Sequence, residues 1–307
     1  MGIVVIGATF VDIKGFPLDK YIPTGRNAGR LEYVHGGVAR NVVEDMANVG
    51  LHPVYLGIVD DSPLGKDVVS RLNERGAKVD YVMTRKGGMG TWLAVFNDFG
   101  DVAGSVSQRP DMMPLMEMLE SRGDEIFAAA DSVVIEVDLD REIVEKTLDL
   151  AAKHGKAVYG IVANITIALQ RKDMLPRFTC FICNQQEAGF LFLEDCTGKS
   201  ADEMVDFLSQ QVMKAKIPSM VVTMGSVGSV YADCNGGKGF CKPPKKIKAD
   251  DTTGAGDAFC AGVAVGLTYG KSMEEAITIG SILGASVLNS SENVCERFDP
   301  AELGLEI

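Results

Sequence analysis

Val133-Val134-Ile135-Glu136-Val137, a helical stretch from Arg141 to Lys153, and Ala157-Val158-Tyr159-Gly160-Ile161-Val162 follow one another closely in the chain. Two short apolar runs rich in β-branched residues, joined by a helix of this length, read as a strand, a crossover and a parallel strand. The rhythm continues toward the C-terminus. Phe181–Cys183 reads as a strand, Ala201–Lys214 as a helix, and Met220–Thr223 and Ser229–Ala232 as strands. Two long helices, at about 255–269 and 273–289, close the chain. This alternation predicts an α/β fold: a mostly parallel sheet covered by helices on both faces. In such sheets ligands sit beyond the carboxyl ends of the strands.

Toward the N-terminus, Ile3–Ile6 predicts the first strand. Val38–Val49 predicts a helix, because residues 38, 42, 46 and 49 are apolar on one face and Gly50 can stop it. Val54–Val59 is expected as a strand and Gly65–Asn73 as a helix with Gly76 beyond its end. Two regions have a different texture. Gly15 to Gly37 is punctuated by Gly and Pro, and Thr91–Phe96 and Val102–Val106 flank the turn Asn97-Asp98-Phe99-Gly100. The expected organisation is one domain over residues 1–307, with a small discontinuous β lid from about 13–34 and 88–107.

The 307 residues carry 30 Lys and Arg against 42 Asp and Glu, a formal charge of −12. That balance argues against a nucleic-acid surface, although backbone amides can still build a local anion site in an acidic protein. No apolar run approaches the ~18–20 residues of a membrane helix. The first residues lack a basic region, and the expectation is a cytoplasmic enzyme without membrane partners. Seven scattered cysteines read as reduced thiols, with Cys180-x-x-Cys183 the only close pair.

Chemistry concentrates in Asp250-Asp251-Thr252-Thr253-Gly254-Ala255-Gly256-Asp257-Ala258-Phe259. Glycines on either side of Ala255 precede a long helix of small residues, which leaves unpaired amides at a helix N-terminus. A transferring phosphoryl group would be stabilised there. Asp257, in the first turn, suits a general base, or alternatively a carboxylate that complements the helix dipole. No Walker A loop and no Gly-x-Gly-x-x-Gly is present.

Asp251-Thr252-Thr253-Gly254-Ala255-Gly256-Asp257 resembles the C-terminal signature of the ribokinase (PfkB) family of sugar and nucleoside kinases. Gly36-Gly37-Val38-Ala39-Arg40-Asn41 resembles the N-terminal signature of that family, Asn184-Gln185-Gln186-Glu187 its Asn-x-x-Glu motif, and Thr223-Met224-Gly225-Ser226-Val227-Gly228 its nucleotide loop. The motifs occur in family order along essentially the whole chain. The resemblance implies a ribokinase-like three-layer α/β/α fold and an ATP- and Mg²⁺-dependent phosphotransferase. It implies Asp257 as base, with the amides of Gly254, Ala255 and Gly256 as anion hole. It implies Asp12, Gly36, Gly37 and Asn41 at the acceptor hydroxyls, and Asn184, Thr223, Gly225 and Gly228 at the nucleotide. Glu187 would organise Mg²⁺, and Asp251 and Thr253 match positions that hold a monovalent cation such as K⁺ in many members. Each residue also has a structural alternative: Asp12 in a turn, Asn41 within a helix, Glu187 as a solvated helix charge, Thr223 as a strand-end hydroxyl.

Within the family, Arg40 before Asn41 resembles the pseudouridine kinases, and the expected acceptor is the 5′-hydroxyl of pseudouridine. A free sugar of ribose or fructose type is the alternative acceptor, and a catalytically silent binding protein the alternative class. Trp92 and Phe96 are expected in the hydrophobic packing of the lid or of a homodimer formed through it, rather than stacked on a ligand. Glu136 and Asp138 could reach the ligand or be a solvated strand end. Arg109 and Lys172 are expected to be surface charges. Gly160-Ile161-Val162-Ala163-Asn164 stands where many members carry an Asp-Pro pair.

Overall fold

In the computed structural model, which describes residues 2–99, 102–243, 252–290 and 292–306, neighbouring strand residues divide between two apolar layers. Val4 and Ile6 enter one core, while Ile3 and Val5 enter the other. Val133 and Ile135 separate from Val134 in the same way. This is the two-residue period of a strand buried on both faces, and it makes the sheet the middle of three layers.

The strands are β1 (Val4–Ile6), β2 (Phe10–Pro17), β3 (Gly29–Gly36), β4 (Val54–Leu56), β5 (Ile58–Val59), β6 (Met83–Thr84), β7 (Gly90–Phe96), β8 (Val102–Gln108), β9 (Val133–Glu136), β10 (Val158–Ile161), β11 (Cys180–Asn184), β12 (Ser219–Thr223), β13 (Ser229–Asp233) and β14 (Lys238–Cys241). The helices are α1 (Val38–Asn48), α2 (Pro63–Glu74), α3 (Leu115–Ala129), α4 (Arg141–Lys153), α5 (Ile165–Ala168), α6 (Gln185–Phe192), α7 (Ala201–Ala215), α8 (Ala255–Thr268) and α9 (Met273–Val287). The main sheet has the order β14-β13-β12-β11-β10-β9-β1-β4. Its strands from β12 to β4 are parallel, and β13 and β14 are antiparallel at the edge. Leu119, Ile143, Leu148, Met204 and Leu208 bring α3, α4 and α7 onto one face. Val42, Met46, Leu72, Val263 and Leu283 bring α1, α2, α8 and α9 onto the other.

The segments expected to stand apart form a separate four-stranded sheet of order β3-β2-β7-β8. Pairing of Asp12 with Val34 and Trp92, and of Trp92 with Ser107, puts these side chains in one row across a single face. Tyr33, Ile13, Leu93 and Val106 form the next row, on the opposite face.

Three differences from the sequence reading have physical causes. Val54–Val59 is two strands rather than one: β4 pairs with β1 in the main sheet, β5 pairs with β6 elsewhere, and the break falls at Gly57. A Cβ at Gly57 would lie 2.3 Å from the Tyr55 ring. A helix at Glu187 entered the sequence reading only as an alternative without bounds, because the stability of the short α6 lies in its cap, where Asn184 and Glu187 bond each other's backbone reciprocally. Strand β14 was not anticipated, since its Lys-Gly-Phe-Cys has little strand character and is set by pairing with β13. Cys180 and Cys183 belong to opposite cores. Among the described residues no helix is long and apolar enough to cross a membrane.

The close approach of α8 to α9 depends on small residues, since a Cβ on Gly262 would meet the Gly280 backbone at 2.6 Å. Gly262→Val is expected to destabilise the protein by about 1–3 kcal/mol through overpacking. Urea unfolding midpoints measure this; an unchanged midpoint would show that the two helices can move apart freely.

Candidate active site

The chain enters α8 through Gly254, whose φ of 85° is left-handed and whose missing Cβ would lie 2.0 Å from the Asn293 carbonyl oxygen. No other residue fits that turn without moving the segment after α9. The Ala255 amide donates to the Thr252 carbonyl at 3.2 Å. The amides of Gly256 and Asp257 belong to the first helical turn, where no intrahelical acceptor exists. Of the three residues expected to supply an anion hole, Ala255 therefore has its N–H committed to the turn, while the Gly256 N–H meets no backbone acceptor among the described residues.

Asp257 stands in that first turn, and its Oδ2 accepts a 2.6 Å hydrogen bond from Asn41 Nδ2. The amide of Asn41 is oriented by Arg40, whose Nη2 donates to Asn41 Oδ1 and to the His35 carbonyl. With its oxygen engaged, Asn41 can present only its NH₂ to the carboxylate. Arg40 is buried and pairs through Nη1 with Glu44 Oε2 at 2.5 Å. Glu44 in turn meets Arg71 at 2.7 Å, and Arg71 reaches Glu292 at 2.5 Å. A line of alternating charges thus runs from the surface to the residue that holds Asp257.

Burial dominates the electrostatics. The Asp257 carboxyl is pushed up to about 7, chiefly by desolvation; Asp12 and Glu187 add to the rise, while Asn41 and Arg40 oppose it. Asp12 is pushed up to about 6, again by desolvation, against Lys14 and Arg40. Gly36 leaves room for that carboxylate, as a Cβ there would lie 2.5 Å from Asp12 Oδ1. Asn293 Nδ2 approaches Asp12 Oδ2 at 3.5 Å. Nothing in the local sequence around Asn293 marks it, because its place is decided by the chain's return after α9.

Two cavities meet at this turn. The smaller, of about 340 Å³, is lined by Asp12, Gly37, Asn41, Trp92, Ser107, Arg109, Glu136, Asp138, Asn164, Thr253 and Asp257, among others. The larger, of about 1170 Å³, is lined by Asn184, Thr223, Gly225, Gly228, Thr252, Ala255 and Gly256, with Phe190, Leu193, Phe259 and Leu288 among its apolar walls. One face of the turn thus borders each space. Asn184 and Thr223 end adjacent parallel strands, and Gly225 and Gly228 take positive φ in the loop after β12.

Glu187 is not a freely solvated helix charge. Its Oε2 accepts the Asn184 amide at 2.8 Å, and burial raises its pKa, with Asp138 adding to the rise. Asp251 lies outside the described residues. Asp12 is in a strand rather than a turn. Glu136 and Asp138 are not a solvated strand end, since each is 2% exposed. Both Glu136 oxygens are engaged, by Ala39 N at 2.8 Å and Ala8 N at 3.1 Å, which ties β9 to β1 and to the start of α1. Asp138 accepts from Ala163 N at 2.9 Å and lies 3.3 Å from Arg109 Nη1. Arg109 is therefore part of the cavity wall rather than a surface charge. Lys172 donates to the Leu191 carbonyl at 2.6 Å and lies over the Phe192 ring. Trp92 lines the smaller cavity, whereas Phe96 is stacked on Phe16 at 4.8 Å within the small sheet.

The chain is similar to known proteins over most of its length. The chain is 33% identical to guanosine-inosine kinase of Exiguobacterium acetylicum over 292 residues, 95% of each sequence. It is 23% identical to pseudouridine kinase of Escherichia coli (strain K12), over 99% of this chain and 94% of that protein. Arabidopsis thaliana ribokinase, solved with ribose and ATP, superimposes with a TM-score of 0.84 at 20% identity, covering 98% of this chain and 97% of that one. The pfkB family carbohydrate kinase pattern is matched over residues 2–294. With a ribokinase-like fold and this extent of match, the chain belongs to the pfkB family of carbohydrate kinases.

Proposed function

We propose that this kinase transfers the γ-phosphoryl group of ATP to the 5′-hydroxyl of a 6-oxopurine ribonucleoside, guanosine or inosine. The observation that carries the reading is Asp257, held by Asn41 on the smaller cavity where its helix turn borders the larger one. A hydroxyl in the smaller space would give its proton to Asp257, while the attacked phosphoryl group, reaching across from the larger space, would meet the Gly256 and Asp257 amides. Such transfer needs positioning and charge neutralisation more than covalent help. The choice of acceptor moves from pseudouridine to a 6-oxopurine because the guanosine-inosine kinase shares 33% of residues and the pseudouridine kinase 23%. Moreover Arg40, which suggested pseudouridine, makes its hydrogen bonds within the protein scaffold.

The donor set suits Mg²⁺, which commonly takes one or two carboxylates and completes its shell with waters and phosphates. Glu187 would hold it through the oxygen that does not close the helix cap, and the ion would neutralise phosphate charge. The small sheet, with Asp12 and Trp92 on its inner face, acts in this reading as a lid that excludes water. A second copy of this chain would cover the opposite face. Leu31, Tyr33, Leu93 and Val106 are 63%, 58%, 43% and 70% exposed there, and a two-fold axis can pair such a patch with itself.

ATP-consumption assays with guanosine, inosine, adenosine, pseudouridine and ribose in parallel should favour the first two; turnover on ribose alone would overturn the assignment. Asp257→Asn should lower kcat by about 10²–10⁴ while ATP still binds, and near-normal turnover would remove its role as base. Because the carboxylate must be ionised, kcat/KM for the acceptor should rise with pH and reach half its plateau near 7. Asp257 faces Asn41, Arg40 and Asp45 of α1, Asp12 of β2, Glu187 of α6 and Cys260 of its own helix. Of these Arg40 is the cation, so Arg40→Met should move that midpoint upward, and Arg40→Lys should move it less. An unmoved midpoint would reduce Arg40 to scaffolding. Light scattering should give a dimer for the native chain and a monomer for Leu93→Glu; a monomeric native chain would dismiss the pairing.

A further inference from the structure

The Asn41–Asp257 end of the smaller cavity accounts for the acceptor hydroxyl but leaves unexplained a second polar group in the same wall. Ser107, Arg109, Asp138 and Asn164 come from the end of β8 and from the loops after β8, β9 and β10. The group is built, not incidental. Arg109 Nη2 donates to the Asp138 carbonyl at 2.7 Å, and Nη1 lies 3.3 Å from Asp138 Oδ2. Asp138, 2% exposed, is itself anchored by Ala163 N. A buried carboxylate thus grips the guanidinium from behind. Among the described residues Nη1 finds no hydrogen-bond acceptor although it is screened from solvent, and the Asp138 carboxylate is its ion-pair partner. Trp92 stands in the same wall, in the row that also carries Asp12.

We infer that Arg109, oriented by Asp138, reads the base of the acceptor by donating to the O6 and N7 edge of a 6-oxopurine whose face lies against Trp92. This inference rests on the nucleoside-kinase reading of the same cavity. A guanidinium carries five N–H donors and no acceptor. Guanine and hypoxanthine present two acceptors, N7 and O6, along one edge, which a planar fork can meet with two parallel bonds. Adenine places an N6–H₂ donor where O6 would be, so an all-donor partner faces a donor and one bond is lost. Asp138 leaves the fork no freedom to turn away, and Trp92 provides the apolar face on which a flat base packs. Ribose alone would make no use of this end of the cavity.

Arg109→Gln tests the inference with a residue that carries both a donor and an acceptor and so matches N6 and N7 of adenine. The expected result is a loss of about tenfold to a hundredfold in kcat/KM for guanosine and inosine, expressed mainly in KM, with adenosine unchanged or improved. Arg109→Lys keeps the charge beside Asp138 but not the fork, and should also lose the preference for inosine over adenosine; because the pair with Asp138 survives, it controls for misfolding. Equal losses for all nucleosides in both variants would overturn the inference and make Arg109 a general support of the site. Unchanged selectivity would overturn it as well. A native enzyme that phosphorylates pseudouridine or adenosine in preference to inosine would overturn the inference yet keep the nucleoside-kinase reading, whereas a native enzyme active only on free sugars would remove both.

Discussion

The left-handed turn at Gly254 is the constraint on which the site depends. A Cβ there would lie 2.0 Å from the Asn293 carbonyl, so the segment after α9 can press against the start of α8 only because this residue is glycine. That contact fixes where the first turn of α8 stands, and with it the Gly256 amide on one side and the Asp257 carboxylate on the other. A helix N-terminus is an anion site in any protein. Here it becomes selective in direction, because two cavities of different size open on either face of one turn.

Charge burial is the second organising element. Although the protein is acidic overall, the carboxylates that matter are withdrawn from water rather than spread over the surface. Asp12, Glu136, Asp138 and Asp257 all line the smaller cavity and all have their ionised forms penalised by desolvation. What differs is how each is answered. Glu136 is held by two backbone amides, Asp138 by an amide and a guanidinium, and Asp12 by a long contact to Asn293 and the charges of Lys14 and Arg40. Asp257 receives one short bond from Asn41 at its Oδ2. The buried Arg40–Glu44 pair is costly by itself, and its compensation is orientation: it leaves Asn41 one way to face.

The small sheet joins the smaller cavity through Phe10 and through the row of Asp12, Trp92 and Ser107. These three are cross-strand neighbours, so a carboxylate, an aromatic wall and a hydroxyl are carried together by the sheet. The opposite face carries Leu31, Tyr33, Leu93 and Val106 exposed, and among the described residues β3 and β8 are the edges of the sheet.

Periodicity and punctuation alone determined a large part of this protein. The βαβ rhythm from Val133 onward, the detached texture of the two lid segments and the Gly254–Asp257 turn are local properties: each arises from side-chain alternation or glycine conformational freedom over a few residues. The motifs at Asn41, Asn184 and Thr223 were legible through their resemblance to the signatures of the PfkB family rather than through local periodicity. Only the tertiary structure decided the rest. It broke Val54–Val59 at Gly57, committed the Ala255 amide to a turn, stacked Phe96 on Phe16 rather than in the cavity, set Arg109 against the buried Asp138, and brought Asn293 to Asp12. Each of these depends on which distant segment arrives at a given point, and burial and pairing of that kind leave no local signal in the residues concerned.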